Sequence, residues 1–197
     1  LISIDAKPVS LVISDVIESA KSLAKQLDKA EPNIVIDDGN IFIEKDAHSM
    51  LNNIFMHVFR NAMDHGIEKP EERQAKGKSP AGTIALGVTI EDGFANLKVR
   101  DDGRGLALAR IYKMAVEKGM YEASAPKPSA NEIANLIFAS GFSTADAVTD
   151  VSGRGVGMDV VKRNITAMGG QVDIRSAAGF GTTISISLPL TLAILDG

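Results

Sequence analysis

The chain has 197 residues, with 25 Asp and Glu against 21 Lys and Arg, and no cysteine. Disulfide and thiolate chemistry are excluded, and a formal net charge of −4 argues against a general nucleic-acid binder, whose phosphate contacts need a basic surface. At 45% hydrophobic and 23% charged residues, the composition is that of a globular domain large enough for one continuous core.

The first residue is Leu rather than Met, as expected of a piece of a larger protein. No signal peptide is visible. The uncharged run from Thr182 to Leu195 is short for a membrane span and holds Pro189.

Taken in chain order, Val9, Val12, Ile13, Val16, Ile17, Ala20, Leu23, Ala24 and Leu27 have the spacing of an amphipathic helix over 9–27. Segments 33–37 and 40–45 flank Asp38-Gly39, which predicts a short hairpin. A second helical pattern covers 46–65, and the charged, proline-containing 69–82 reads as a surface connector. Ile84, Leu86, Val88 and Ile90 alternate along one strand; Phe94, Leu97 and Val99 mark the next, across an Asp92-Gly93 turn. Residues 106–118 read as helix stopped by Gly119, and 121–130 as loop. Ser129 with Glu132 forms a capping box ahead of Ile133. A helix over 156–168 stops at Gly169-Gly170, and strands at 171–176 and 182–188 follow. Short turns between neighbouring strands imply an α+β, two-layer sandwich: a mixed, mostly antiparallel sheet with helices on one face.

Asn53, His57, Asn61, Asp64 and His65 line the polar side of the second helix at spacings of four, four, three and four. Asn and Asp are mediocre helix formers, where a merely solvated face could use Glu, Lys or Gln. An amide oxygen here could complete the shell of a magnesium ion that also holds phosphate oxygens. The helix alone leaves the solvated and the functional face about equally supported. Zinc on His57 and His65 fails, because they lie two turns apart and no cysteine or third nearby histidine completes the site.

"VRDDGRGL" (99–106) follows a strand, and Asp101 sits where that strand ends. It could cap a helix, or accept a hydrogen bond from an exocyclic amine such as that of adenine. "GRGVG" (153–157) lacks the βαβ context and acidic partner of a Rossmann site and the Gly-Lys-Ser/Thr of a Walker loop. What survives is backbone N–H groups at a helix N-terminus, a place that favours anions. "GFGTT" (179–183) is a turn launching a strand.

In order along the chain, "HVFRNAMDHGIE" (57–68), "DDGRGL" (101–106), "IFASGFSTA" (137–145), "GRGVGMDVVKRN" (153–164) and "GFGTT" (179–183) resemble the N box, first glycine box, phenylalanine box, second and third glycine boxes of the ATP-binding domain of the chemotaxis histidine kinases. The wider superfamily is that of gyrase, heat-shock chaperones, histidine kinases and MutL. The resemblance spans about 10–197 and implies a Bergerat-type ATP-binding fold over 1–190, with 191–197 starting a linker to a regulatory domain. It implies that Asn61 ligands Mg²⁺ and that His57 lies near the γ-phosphate, these two forming the catalytic pair. Asp64 and His65 would line the pocket. Asp101 would read the adenine amine, with Gly103 and Gly105 allowing close approach. Arg110 would reach phosphate. Gly153, Gly155 and Gly157 would form the phosphate-side lid hinge and the helix start, Ser143, Thr144, Arg154, Val156 and Met158 would also bind the nucleotide, and a mobile ATP lid would span about 120–155. Gly181 and Thr182 would close the floor near the base. One departure is Ser140, where the family usually has Pro, with a small expected effect on lid stiffness.

The activity so implied is Mg·ATP-dependent transfer of the γ-phosphoryl group to a histidine on a separate phosphotransfer domain. Response regulators, a coupling protein and chemoreceptors would be engaged through other domains of a cytoplasmic, homodimeric parent; the isolated domain would be monomeric, with no nucleic acid and no membrane insertion. An ATPase of the gyrase type uses a glutamate where this chain has His57. A non-catalytic adaptor would not need Asn61, Asp101 and three glycine boxes.

Overall fold

The computed structural model describes residues 4–139, 142, 157–189, 191 and 193–195. The first helical pattern forms as a short α1 (Val9–Val12) followed by α2 (Ser14–Gln26), whose stripe buries Val16, Ala20 and Ala24. In α3 (Lys45–Asn61) the buried stripe is Ala47, Leu51, Ile54, Phe55, Val58 and Phe59. Phe55 and Phe59 meet edge to face at 6.3 Å, a favoured ring geometry. Asn52 Nδ2 donates to the Val12 carbonyl at 3.1 Å, tying α3 to the end of α1.

β4 (Thr83–Glu91) and β5 (Phe94–Asp101) make the expected hairpin. Asp92 and Gly93 both take positive φ, 51° and 81°, the two-residue turn whose twist matches its strands. With β2 (Asn33–Asp37), β6 (Gln171–Ala177) and β7 (Gly181–Pro189), they form a sheet of order β2-β4-β5-β7-β6. β2 runs parallel to β4 and every other pair is antiparallel. Period-two alternation sends Leu86, Leu97, Val99, Ile174 and Ile186 into one buried cluster with the stripes of α2, α3 and α7 (Met158–Ala167). Val35, Lys98, Arg100 and Arg175 stay exposed on the alternate positions. The helices therefore lie on one face, and the mixed two-layer α+β architecture expected from the sequence is present.

Two local expectations are corrected. Residues 33–37 and 40–45 form no hairpin with each other. The Asp38 carbonyl does accept from Ile41 N at 3.0 Å, and Gly39 and Asn40 do take positive φ. Each strand nevertheless finds a distant partner: β2 pairs with β4, and β3 (Ile41–Ile43) lies between β1 (Lys7–Pro8) and β8 (Ala193–Leu195) in a second sheet of order β1-β3-β8. The connector 69–82 contains a helix, α4 (Pro70–Ala75), opened by a proline at its first position and carrying the fully buried Arg73. α5 (Leu108–Glu117) forms within the expected 106–118, and α6 (Ala130–Asn135) with a 3₁₀ turn over Leu136–Phe138 follows the capping box. Within 191–197, Ala193–Leu195 forms β8, antiparallel to β3.

α6 protects an edge of the main sheet. Its Ser129 cap accepts from Glu132 N at 3.2 Å, as the capping-box pattern predicts. Asn135 then uses both ends of its amide on edge strand β6, donating to the Ile174 carbonyl at 3.2 Å and accepting from Ile174 N at 3.3 Å. The side chain thus substitutes for a missing strand neighbour and blunts an open edge. Asn135→Ala is expected to lower stability by about 1–3 kcal/mol by orphaning these groups, with the Ile174 amide losing protection in hydrogen exchange. Unchanged protection there would remove Asn135 from this role.

Candidate functional site

At Asn61 the second helix changes winding. A π-helical turn, Ala62–Gly66, follows α3 and is closed by Ile67 N donating to the Ala62 carbonyl at 2.7 Å. The single α-helix expected over 46–65 is thereby corrected. Because π winding is wider than α, the three-and-four spacing that placed Asp64 and His65 on one face with His57 and Asn61 stops at Asn61. Lys29 stabilises the turn: its Nζ donates to the Met63 carbonyl and, at 3.3 Å, to the Asp64 carbonyl. Burial, then the positive charge of Arg104, pulls the Lys29 ammonium below its ordinary pKa, with Asp64 opposing. His57 and Asn61 are half-buried on the last turn of α3. Asp64 is also half-buried and accepts from Arg60 Nε at 3.4 Å, whereas His65 is exposed.

The π turn delivers Gly66 to the end of β5, where Asp101 sits 7% exposed. A side chain on Gly66 would place its Cβ 3.1 Å from Asp101 Oδ1; one on Gly103 would lie 2.2 Å from the Gly66 carbonyl oxygen. Gly181, at φ +119°, would put a Cβ 1.9 Å from the Asp101 carbonyl oxygen. Only glycine permits the approaches at Gly103 and Gly181. Arg104 N donates to the Gly66 carbonyl at 2.9 Å, and Gly179 N donates to the Arg104 carbonyl at 2.8 Å. Three chain segments distant in sequence therefore meet around one carboxylate. Asp101 and Thr182 are cross-strand partners, and Thr182 Oγ1 lies 3.1 Å from Ser176 Oγ, which also accepts from Leu106 N at 2.7 Å.

Burial pushes the Asp101 carboxyl up to about 6. The hydrogen bond from Gly103 N at 2.9 Å opposes this, Asp102 adds to the rise, and the Thr182 amide again opposes it. At neutral pH the group is a carboxylate largely removed from water, an acceptor suited to the amine of a planar base.

Behind Asp101 lies an ion cluster that the sequence reading missed. Glu68 and Arg73 are 0% and 1% exposed. Arg73 Nη1 donates to Glu68 Oε1 at 3.0 Å, its Nη2 to Asp102 Oδ2 at 3.0 Å, and its Nε to the Ser79 carbonyl at 2.6 Å. Lys78 Nζ donates to Glu68 Oε2 at 2.8 Å. Burial alone would raise the Glu68 carboxyl, but Lys78, the backbone at Glu68 and Arg73 together hold it below its usual value. The signal in the sequence was faint: alternating acidic and basic residues after a helix read more readily as solvated.

With this geometry established, comparison with known proteins identifies the frame. The sequence model described as "Histidine kinase-, DNA gyrase B-, and HSP90-like ATPase" matches residues 47–192. The chain belongs to that family. It is 45% identical over its whole length to a chemotaxis protein CheA of Klebsiella aerogenes and 40% identical to one of Rhizobium meliloti. It spans only 30% and 26% of those relatives' own lengths. A histidine kinase domain from an Erythrobacter litoralis blue-light-activated histidine kinase matches with a TM-score of 0.53 at 14% identity, over 97% of this chain and 66% of that one, and supports the fold.

In this ATPase-family frame Asp101, Gly103, Gly105, Gly181 and Thr182 come together, with Gly66 joining them unforeseen. Gly105, at φ +78°, packs against the Ala177 carbonyl. Arg110 is exposed on α5. Gly157 is the N-cap of α7, and the Met158 side chain joins the main core. Phe142 is buried in a satellite cluster with Ile111, Ala115 and Ile133. Ser143, Thr144, Gly153, Arg154, Gly155 and Val156 lie outside the described residues.

The sign of the Asp101 effect is fixed by its raised pKa. The folded state holds this proton more tightly than the unfolded chain, so this group's contribution to stability is fully present below pH about 4 and is lost as pH rises through about 6. Asp101→Asn removes this titration, so the Tm difference between the variant and the unmodified chain should shift in the variant's favour as pH rises from about 4 to 7. A difference independent of pH over that window would contradict the burial argument. Arg73→Met leaves the Glu68 carboxylate inside without its guanidinium and is expected to cost about 3–5 kcal/mol, read by denaturant unfolding.

Proposed function

We propose that this chain binds Mg·ATP and transfers the γ-phosphoryl group to a histidine of a separate phosphotransfer domain, as the catalytic domain of a chemotaxis-type histidine kinase. The observation that carries this reading is the buried Asp101, its carboxylate against Gly66 and Gly103 and its backbone carbonyl against Gly181, in a chain whose relatives are named chemotaxis protein CheA. Asp101 accepts from the adenine amine, and the glycines let the base lie against backbone. Asn61 offers one amide oxygen. Among the described residues no group of three or more His, Asp and Glu could hold a metal by itself. That donor set fits magnesium, which keeps waters and phosphate oxygens around it. When bound, magnesium neutralises phosphate charge. His57, one turn before Asn61, orients the terminal phosphate, and Arg110 contributes positive charge from α5. The acceptor imidazole attacks the γ-phosphorus; its N–P bond forms as the bridging β–γ oxygen–phosphorus bond breaks and ADP leaves. Positioning and charge neutralisation are the protein's contribution. Position 57, a glutamate in water-activating ATPases, is histidine here, which favours transfer over hydrolysis.

Response regulators, a coupling protein and chemoreceptors belong, on this reading, to other domains of a larger cytoplasmic dimer. No helix among the described residues is long and apolar enough to cross a membrane. Asn61→Ala is expected to reduce magnesium-dependent phosphotransfer from labelled ATP by at least about a hundredfold, the scale of losing a catalytic electrostatic contact, with an unchanged melting curve. Normal transfer by the variant would refute the magnesium role. Steady phosphate release without acceptor would identify an ATPase instead, and no nucleotide binding would leave an adaptor.

A further inference from the structure

The ammonium of Lys78 makes three hydrogen bonds. It donates to Glu68 Oε2 at 2.8 Å, to the Asp102 carbonyl at 3.1 Å and to the Gly103 carbonyl at 2.9 Å. Those two carbonyls belong to the consecutive 102–103 and 103–104 peptides, just past Asp101. A trans peptide points its C=O and N–H in opposite directions, and no described peptide here is cis. Holding the Asp102 carbonyl against Lys78 therefore turns the Gly103 N–H the other way, onto Asp101 Oδ1 at 2.9 Å. Holding the Gly103 carbonyl turns the Arg104 N–H onto the Gly66 carbonyl at 2.9 Å. Both peptide planes are fixed at both ends. Arg73 Nη1 adds a second donor to the Asp102 carbonyl at 3.2 Å, and Asp102 Oδ1 accepts from Thr83 N at 2.8 Å.

We propose that Lys78, seated on the buried Glu68, is a positioning residue for base recognition, orienting the peptides that aim the Asp101 carboxylate. The proposal rests on the adenine role of Asp101. Lys78 does not touch the base; it acts through the Gly103 and Arg104 amides. Lysine suits the task because a compact ammonium offers donors in three directions, whereas the planar guanidinium fork cannot. The charged groups that bear on Asp101 from behind are Asp102 and Glu68, which raise its pKa, and their partners Arg73 and Lys78.

The test compares ATP with the triphosphate of purine riboside, which lacks the exocyclic amine, by equilibrium binding to the 197-residue chain in the presence of magnesium. Lys78→Met keeps much of the stem and removes the ammonium. It should weaken ATP binding about tenfold, the scale of one charged hydrogen bond, and purine riboside triphosphate by less than about twofold. The pH at which ATP affinity falls by half should move upward, because the Gly103 amide no longer holds the ionised carboxylate. The double variant Lys78→Met/Glu68→Gln also removes the carboxylate charge that Lys78 partly neutralised, leaving Arg73 its bond to Asp102, and should show the same loss of base discrimination. Unchanged discrimination and pH midpoint in either folded variant overturn the positioning role. Failure of the unmodified chain to bind ATP, or its equal affinity for both nucleotides, overturns the adenine reading instead.

Discussion

A carboxylate 7% exposed at the end of β5 can remain ionised only where backbone donors reach it, because burial by itself favours the neutral acid. Donors reach Asp101 because the chain around it is stripped of side chains. Gly103 and Gly181 bring backbones to distances at which any Cβ would collide, and a Cβ at Gly66 would crowd the carboxylate itself. The fold is arranged to allow this: the π turn carries Gly66 inward, the β5–β7 register sets Thr182 opposite Asp101, and Gly181 begins β7 beside it. Moving any of these elements by a residue would put a side chain into the junction.

Asp101 and Asp102 show how environment assigns different work to neighbouring, chemically identical groups. Asp101 faces backbone amides and keeps a raised pKa. Asp102 turns away, pairs with Arg73 and accepts from the Thr83 amide. One residue is left with acceptor capacity for a ligand, and the other is consumed by structure. The buried Glu68–Arg73 pair gains little from charge attraction alone, since desolvation offsets much of it. Its value lies in specificity of geometry: the fixed guanidinium fork and the Lys78 ammonium hold two peptide orientations that backbone propensity would leave open.

Much of this was legible in the sequence, and the rest was hidden for identifiable reasons. The β4–β5 hairpin, the α6 cap and the apolar stripes follow from local chemistry: Asp92-Gly93, Ser129 with Glu132, and the spacing of Leu51, Ile54, Phe55 and Val58. Asp38-Gly39 formed its turn yet made no hairpin, because strand pairing is settled by distant competition and β4 offered β2 a five-residue register. The π turn was invisible because its cause, Lys29 on the carbonyls of Met63 and Asp64, lies more than thirty residues away. The ion cluster was misread as solvent-facing because charge in a sequence carries no record of burial. Asp101 was legible as a candidate because its position after a strand and before glycines is a local pattern; its support was not.

The same distinction explains why the polar row on α3 could not be resolved from spacing. His57 and Asn61 remain on regular α-helix, so their separation of one turn is inherited from the sequence. Asp64 and His65 stand beyond the change of winding, where Asp64 meets Arg60 and His65 faces outward. A π turn is a costly local geometry that persists only when its surroundings determine it. Here they do so from two sides, through Lys29 on its carbonyls and Arg104 N on Gly66. The turn separates His57 and Asn61, the pair proposed for the phosphate side, from Gly66 beside Asp101. It thereby fixes how far the two halves of the site stand apart, a dimension that an unbroken α-helix of the same residues would set differently.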